Sequence, residues 1–384
     1  MRVVVVIPVL KGAGAEKFIC NLIIELKKTN VDVHLYLIRG VFDEIGEMLL
    51  QKICEAGVPV YIGNGGNIHS LSEIFRFVQV CRKLEPDILF ANLQISRFYV
   101  IIARLFLILS PIKLVHRIES TQFYGKHPKF LFKILDLFFV STISIAPPVT
   151  QAYVKVVGKG ALKKIHMIPN GSSEKSSWLT RSLPEKRRTI TVLNVGRIGR
   201  NGFSFNGQPD DFRSAQKGHA VMIDALAKLK AKTSISKMKF HFIGDGDLKN
   251  YAENYAIKMN LGSSVVFFGK IDNVGKEMEN ADIFLFASRF EGMPNALIEA
   301  AQHGLPIIAS DIPEIRWLAP KTGWILVDPE DVNGFAEALL KVSNNLKYYR
   351  NQAIKNTKHF LNEFSVNVAA KKYKKHLETV YNDD

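Results

Sequence analysis

The chain has 384 residues, 47% of them hydrophobic, and a net charge of +15 from 51 Lys and Arg against 36 acidic residues. That length exceeds one ordinary core and calls for two domains, and the composition excludes a disordered or fibrous chain. The basic excess implies anionic company: nucleic acid, phosphate ligands or an acidic membrane surface. Cys20, Cys54 and Cys81 are odd in number and lack metal-ligand spacing, so they read as buried small apolar residues in a reducing compartment. Residues 1–10 are apolar but carry Pro8 and no cleavage pattern, which suits a first strand better than a signal peptide. No stretch reaches the ~18 uninterrupted apolar residues of a membrane span.

Residues 3–7 are a β-branched run, the pattern of a strand buried on both faces. A Gly-containing turn, Lys11 to Glu16, follows, and Gly14 there can bring backbone close to a phosphate. A helix carrying Phe18, Ile19, Leu22, Ile23 and Leu26 on one face comes next. Strands are predicted at 33–38, 60–62 and 88–91. This alternation argues a Rossmann-like parallel sheet. Residues 98–109 and 130–139 are two apolar, aromatic helices. From Arg97 to Lys133 there are seven basic residues against one acidic, Glu119. Apolar surface mixed with Lys and Arg suits a helix lying at an anionic membrane surface, so region 97–139 is the expected docking face; the alternative is two core helices with basic ends. His116 ends a short strand, 114–116. Further strands are expected at 142–145 and 165–168. The polar, Ser-rich and basic stretch 171–188 reads as a linker.

The second half begins again with a strand, 190–195, followed by Gly196 and Arg197. Gln216, Lys217 and Gly218 come later. The intervening loop, 200–216, is long and holds Phe203, Phe205 and Phe212; it is expected to act as a flap or to touch an acceptor. A strand at 240–243 runs into the Gly-rich turn Gly244-Asp245-Gly246-Asp247. Its Asp-x-Asp sits in a turn after a strand and is not read as a metal site. Lys270, after a strand at 265–269, is expected beside a nucleotide base. Residues 281–311 read as strand, loop, helix, strand, with Pro294 at the first helical position. The helix start, Gly292, Met293, Pro294, Asn295, Ala296 and Leu297, presents open N–H groups and the positive dipole end, a ready seat for a phosphate. Glu291 and Glu299 flank that seat eight residues apart. A carboxylate beside an anion site can accept hydrogen bonds from sugar hydroxyls. The last helix, about 366–381, is basic and amphipathic.

The string Glu291-Gly-Met-Pro-Asn-Ala-Leu-Ile-Glu299 resembles the E-x7-E motif of retaining GT-B glycosyltransferases, glycosyltransferase family 4. The Gly14 turn, the Ile-Pro-Asn-Gly stretch at 168–171, the Gly244/Gly246 turn and the Arg197/Lys217 pair stand in that family's order, although the loop between the two cations is longer than usual. The resemblance implies a GT-B fold: two Rossmann-like domains with parallel sheets facing across a cleft. It places an acceptor-binding domain at 1–170, a linker at 171–188, a nucleotide-sugar domain at 189–359, and a terminal helix, about 360–384, packed back on the first domain. It implies that Arg197 and Lys217 grip the donor pyrophosphate, that Glu291 contacts the donor hexose, that Glu299 holds the ribose, and that His116 lies near the donor sugar. Cations there would stabilise the charge growing on a departing diphosphate.

The expected function is retaining transfer of a hexose or N-acetylhexosamine from a nucleotide diphosphate sugar, a UDP-sugar by preference, to a saccharide acceptor. No metal and no cofactor are expected. The acceptor is expected to be lipid-linked, in bacterial cell-surface glycan assembly, and the protein cytoplasmic and peripheral at the inner face of the membrane. A relative that does not transfer to an acceptor, such as an epimerase or phosphorylase, is the alternative. A nucleic-acid-binding protein rests only on the +15 charge and finds no groove-reading or base-stacking motif.

Overall fold

In the computed structural model, described here for residues 1–12, 14–64, 70–122, 129–172, 189–199, 212–232 and 238–383, the chain forms two compact units. The first comprises Met1–Ser173 with Phe364–Asp384, and the second Glu174–Glu363. Residues 173–188 of the predicted linker (171–188) and 200–211 of the predicted flap (200–216), like Ala13, lie outside the described residues.

The first unit alternates strands and helices: β1 (Arg2–Ile7), α1 (Gly14–Lys28), β2 (Asp32–Leu37), α2 (Glu44–Glu55), β3 (Val60–Ile62), α3 (Leu71–Leu84), β4 (Ile88–Asn92), α4 (Gln94–Phe106), β5 (Lys113–Ile118), α5 (Lys129–Asp136), β6 (Ser141–Ser144), α6 (Pro147–Val157) and β7 (Ile165–Met167). The seven strands are parallel, in the order β3-β2-β1-β4-β5-β6-β7. Successive β1 side chains serve opposite faces, as strand geometry demands. Val3, Val5 and Ile7 pack with Phe18 and Leu22 of α1, while Val4 and Val6 pack with Phe77 of α3 and Tyr99 of α4. Both faces are covered, which is why the strands read as unbroken apolar runs.

The second unit repeats the plan: β8 (Ile190–Val195), α7 (His219–Lys232), β9 (Met238–Ile243), α8 (Lys249–Lys258), β10 (Val265–Gly269), α9 (Val274–Asn280), β11 (Ile283–Phe286), α10 (Asn295–Gln302), β12 (Ile307–Ser310), α11 (Pro313–Leu318), β13 (Trp324–Val327), α12 (Val332–Asn344) and α13 (Leu346–Glu363). Its six parallel strands run β10-β9-β8-β11-β12-β13. Phe240, Phe242, Ile283 and Leu285 form a core with Met222 and Leu226 of α7 and Phe335 and Leu339 of α12. The terminal helix, α14 (Val366–Asn382), belongs to the first unit, where Tyr373 and Leu377 enter the same core as α1.

Three local expectations need correcting. Pro294 is the N-cap of α10 rather than its first helical residue, with extended backbone at ψ 99°. Cys20 and Cys81 are buried, but Cys54 is exposed: it follows buried Ile53 in the last turn of α2 and so points the other way. Helix α13, eighteen residues long, is too polar to show a clear apolar stripe and escaped the reading of the sequence. Among the described residues no helix is long and apolar enough to cross a membrane.

Candidate functional site

Ligands of open α/β sheets sit beyond the carboxyl ends of the strands, where the strand order reverses. In the second unit that point lies between β8 and β11, since β8 has β9 on its other side. The loop after β8 carries Gly196 and Arg197, and the loop after β11 carries Ser288 to Pro294. Topology alone thus brings together two stretches almost a hundred residues apart.

The turns after β8 and β9 are fastened to each other. Gly196 N donates to Ile243 O at 2.9 Å, Ile198 N to Asp245 O at 3.0 Å, and Leu248 N to Ile198 O at 3.1 Å. Gly244 must be glycine: its φ is +141°, and a Cβ there would lie 1.9 Å from Gly196 O. Gly246 closes the same turn. Arg197 is exposed, and its side chain folds over Gly199, where a Cβ would meet Asp247 Oδ1 at 2.7 Å and Arg197 Nε at 2.9 Å. Lys270 is exposed just beyond Gly269, whose carbonyl accepts from Gly244 N at 2.8 Å.

Lys217 lies in the turn entering α7. Its stem packs over Gly196, with a Cβ built there 3.7 Å from Lys217 Cδ. Its Nζ donates to Glu291 Oε1 at 2.6 Å and lies 5.1 Å from the centre of the Phe286 ring, a cation–π contact on its second side. The Lys217 side chain is 21% exposed and that of Glu291 8%, so the pair is only partly screened by water. Gly218 adopts φ +62°, and a Cβ there would sit 2.1 Å from Ala287 O; this close approach sets Lys217 against the end of β11. His219, the next residue, is fully buried, and burial, with Lys217 adding to it, lowers its pKa to about 3, so the ring stays neutral.

Two residues that the sequence reading passed over hold the pair in register. Arg289 N donates to Gln216 O at 2.8 Å, Arg289 Nη1 to Ala215 O at 2.7 Å, and Gln216 Nε2 to Phe290 O at 2.7 Å. The other side of the Arg289 guanidinium meets Glu330. The turn that carries Lys217 is thereby laced to the loop that carries Glu291. Their only signal in the sequence was position, each being a polar residue one or two places before a motif residue. Phe212, within the predicted flap, is buried against Tyr251 and Tyr255 of α8.

At the start of α10, Met293, Pro294 and Leu297 are buried, whereas Gly292, Asn295, Ala296 and Glu299 are half-buried. No side chain caps the helix; Leu297 N donates to Pro294 O at 3.0 Å, and the positive dipole end faces the loop after β11. The structure therefore gathers Gly196, Lys217, Gly218, Glu291 and the N-terminus of α10 at one switch point, with Arg197, Gly244 and Gly246 in the adjoining turns. One cation, one carboxylate and a helix N-terminus can hold a diphosphate and a hydroxyl-bearing group side by side.

Two predicted residues lie elsewhere, in the first unit. Gly14 opens α1. His116 is wholly enclosed in β5: its Nε2 meets Thr142 Oγ1 at 2.8 Å and the Tyr153 hydroxyl at 3.3 Å, and its ring packs on Phe139. Burial, with Arg97 and Lys164 adding to it, holds it well below the ordinary histidine range. A neutral ring sealed in the core has the surroundings of a structural histidine.

The fold is that of the GT-B glycosyltransferases, two Rossmann-like units with parallel sheets of seven and six strands. Residues 207–345, which hold most of the site, match the family model described as Glycosyl transferases group 1, so the chain carries a glycosyltransferase domain. An uncharacterized glycosyltransferase of Methanocaldococcus jannaschii is 24% identical over 259 residues, 63% of this chain and 59% of that protein. The UDP-Gal:alpha-D-GlcNAc-diphosphoundecaprenol alpha-1,3-galactosyltransferase of Escherichia coli is 27% identical over 191 residues, 47% of this chain and 46% of that protein. The chain thus spans about half the length of the curated relatives it matches. Among solved structures, HepE of Anabaena in complex with UDP and glucose has a TM-score of 0.79 at 17% identity, covering 99% of this chain and 100% of that one. The sucrose-phosphate synthase of Thermosynechococcus elongatus has a TM-score of 0.74 at 17% identity, covering 99% of each chain.

Proposed function

We propose that this protein is a retaining glycosyltransferase of family 4 that moves a sugar from a UDP-sugar to a lipid-linked saccharide in bacterial surface-glycan assembly. The observation that carries the reading is the Lys217–Glu291 pair, 2.6 Å apart, beside the uncapped start of α10 at the switch point of the second sheet. HepE's complex with UDP and glucose supports the donor class, and the diphosphoundecaprenol-linked substrate in the name of the Escherichia coli relative supports the acceptor class.

In this reading the donor diphosphate sits against the first N–H groups of α10, with Lys217 and Arg197 closing on it. Glu291 accepts from hydroxyls of the sugar and Glu299 from those of the ribose. The bond from the sugar's anomeric carbon to the diphosphate oxygen breaks. The acceptor oxygen bonds to the same carbon from the same face, and its proton passes to the departing diphosphate. Lys217, Arg197 and the helix dipole stabilise the charge that grows on the leaving group, a contribution larger in the transition state than in the ground state. The cations are side chains, so the reading invokes no metal. In this reading Lys270 lies beside the base.

Leu105, Ile108, Leu109, Phe130 and Leu137 are exposed around the ends of α4 and α5, in company with Arg104 and Lys133. That mixture supports the second part of the reading, a protein resting on the anionic inner face of a membrane. The deciding experiment is a thermal-shift screen of nucleotides and nucleotide sugars, followed by mass analysis and anomeric assignment of the product. Stabilisation by UDP and a product that keeps the donor's anomeric configuration are expected. An inverted product would remove the retaining mechanism, and a changed donor sugar with no transfer would point to an epimerase.

A further inference from the structure

At the carboxyl end of the first unit's sheet, the first turn of α4 carries a buried cation that forms no ion pair with a described residue, although Asp136 and Glu119 lie near enough to act on its charge. Arg97 is 5% exposed, and its guanidinium lies 5.7 Å from the centre of the Tyr153 ring. Two carboxylates stand in the neighbourhood, and each has a closer cation. Asp136 Oδ2 is 2.8 Å from Lys164 Nζ, and Glu119 Oε1 is 2.6 Å from Arg117 Nη1. Three cations face two carboxylates, and Arg97 is the one left over. Neither its Nε nor the fully buried Ser96 Oγ beside it has a hydrogen-bond partner among the described residues. His116, on the same side of the sheet, is held neutral by burial and supplies no charge.

The backbone points the same way. No side chain caps α4, which leaves its first N–H groups open. The helix is entered through Leu93 at φ +70°, a left-handed conformation that a leucine adopts only at a cost. β4 adjoins β1 where the strand order of this sheet reverses, the place where such sheets take ligands.

A buried guanidinium without a direct ion-pair partner is expensive, and an arriving anion removes that cost. Resting on the lipid-linked acceptor reading above, we propose that Arg97, with Ser96 and the amino end of α4, seats a phosphoryl group of the acceptor in the first unit. The planar fork of Arg97 suits two phosphoryl oxygens at once, Ser96 donates a third hydrogen bond, and the helix dipole favours the negative charge. The hydroxyls of a neutral saccharide could not balance the guanidinium.

The test uses the full chain with UDP in excess, so that the diphosphate seat of the second unit is filled, and inorganic pyrophosphate as the probe at constant ionic strength. The parent protein is expected to gain a further rise in Tm that grows with pyrophosphate concentration. Arg97→Met is expected to lose that increment and to raise the acceptor KM about tenfold to a hundredfold. Arg97→Gln serves as a second variant should the first fold poorly. An increment that is equal in parent and variants, or absent in the parent, overturns the site. An increment lost with no change in acceptor KM overturns the acceptor assignment and leaves a site for free phosphate. Failure of UDP to stabilise the parent would count against the donor reading instead, and the pyrophosphate comparison would still decide the role of Arg97.

Discussion

Lys217 and Glu291 stand 2.6 Å apart although 74 residues separate them in the chain, and they carry opposite charges. In the ligand-free protein they neutralise each other. On the proposed reading a donor brings negative phosphate to one and hydroxyl groups to the other, and the pair keeps the site charge-balanced and preorganised before binding. If Lys217 and Arg197 stabilise the leaving diphosphate, Lys217→Ala and Arg197→Ala should each cost about 3 kcal/mol in the chemical step, roughly a 150-fold fall in kcat. Single-turnover measurement of donor consumption checks this. Turnover at the parent rate in both variants would remove the assignment.

Arg289 should act at a distance from the chemistry. Arg289→Ala deletes the bond to Ala215 O and frees the turn that carries Lys217, and a fall in kcat of about tenfold is expected, equal to roughly 1.4 kcal/mol of lost positioning. Glu330→Ala removes only an ion pair whose carboxylate side chain is 61% exposed, and little change is expected. Equal kcat losses in the two variants would mean that the ion pair, rather than the lacing of the two loops, is what matters.

Gly218→Ala sets a Cβ 2.1 Å from Ala287 O at a φ of +62°. The strained backbone and the clash should cost about 2 kcal/mol or more, a Tm loss of roughly 4–8 °C for a unit of this size. Because Lys217 is its neighbour, kcat should fall with Tm. Calorimetry beside kinetics reads both, and a stable, slow variant would separate the positioning of Lys217 from the stability of the unit.

His376 of α14 bonds Ser141 Oγ at 2.7 Å and packs on the His166 ring. Burial first, then His166, lowers its pKa from 6.5 to about 4, against a weaker upward pull from Asp383. A lowered histidine pKa favours the neutral form in the folded state. Its contribution is therefore complete above about pH 6.5 and is lost as pH falls from there toward 4. His376→Gln should flatten the acid limb of stability over that window. Denaturant midpoints of parent and variant at pH 7 and pH 5 give the comparison, and parallel losses in the two proteins would contradict it.

Leu109 is 98% exposed and Leu137 80%. Leu109→Asp with Leu137→Asp should weaken sedimentation with anionic vesicles by about tenfold or more, since each change removes apolar contact and adds a repelled charge. Neutral vesicles should capture both proteins poorly. Binding that ignores anionic lipid would separate this face from any membrane role.

Much of this protein was written in its local pattern. The apolar runs at 3–7 and 283–286 predicted strands buried on both faces, because such strands have no solvent side to mark. Gly244 announced a turn that only glycine can make, and Glu291 and Glu299 bracketed a helix start with its positive dipole end. These are properties of a residue and its near neighbours. The lacing of Arg289 to Ala215, the sealing of His116 behind Thr142 and Tyr153, and the surplus charge on Arg97 are sums over partners drawn from separate strands and helices. No local pattern encodes such a sum: whether a charge is balanced or a ring enclosed depends on what strand order and helix packing bring to it, and that is decided only when the sheet is assembled.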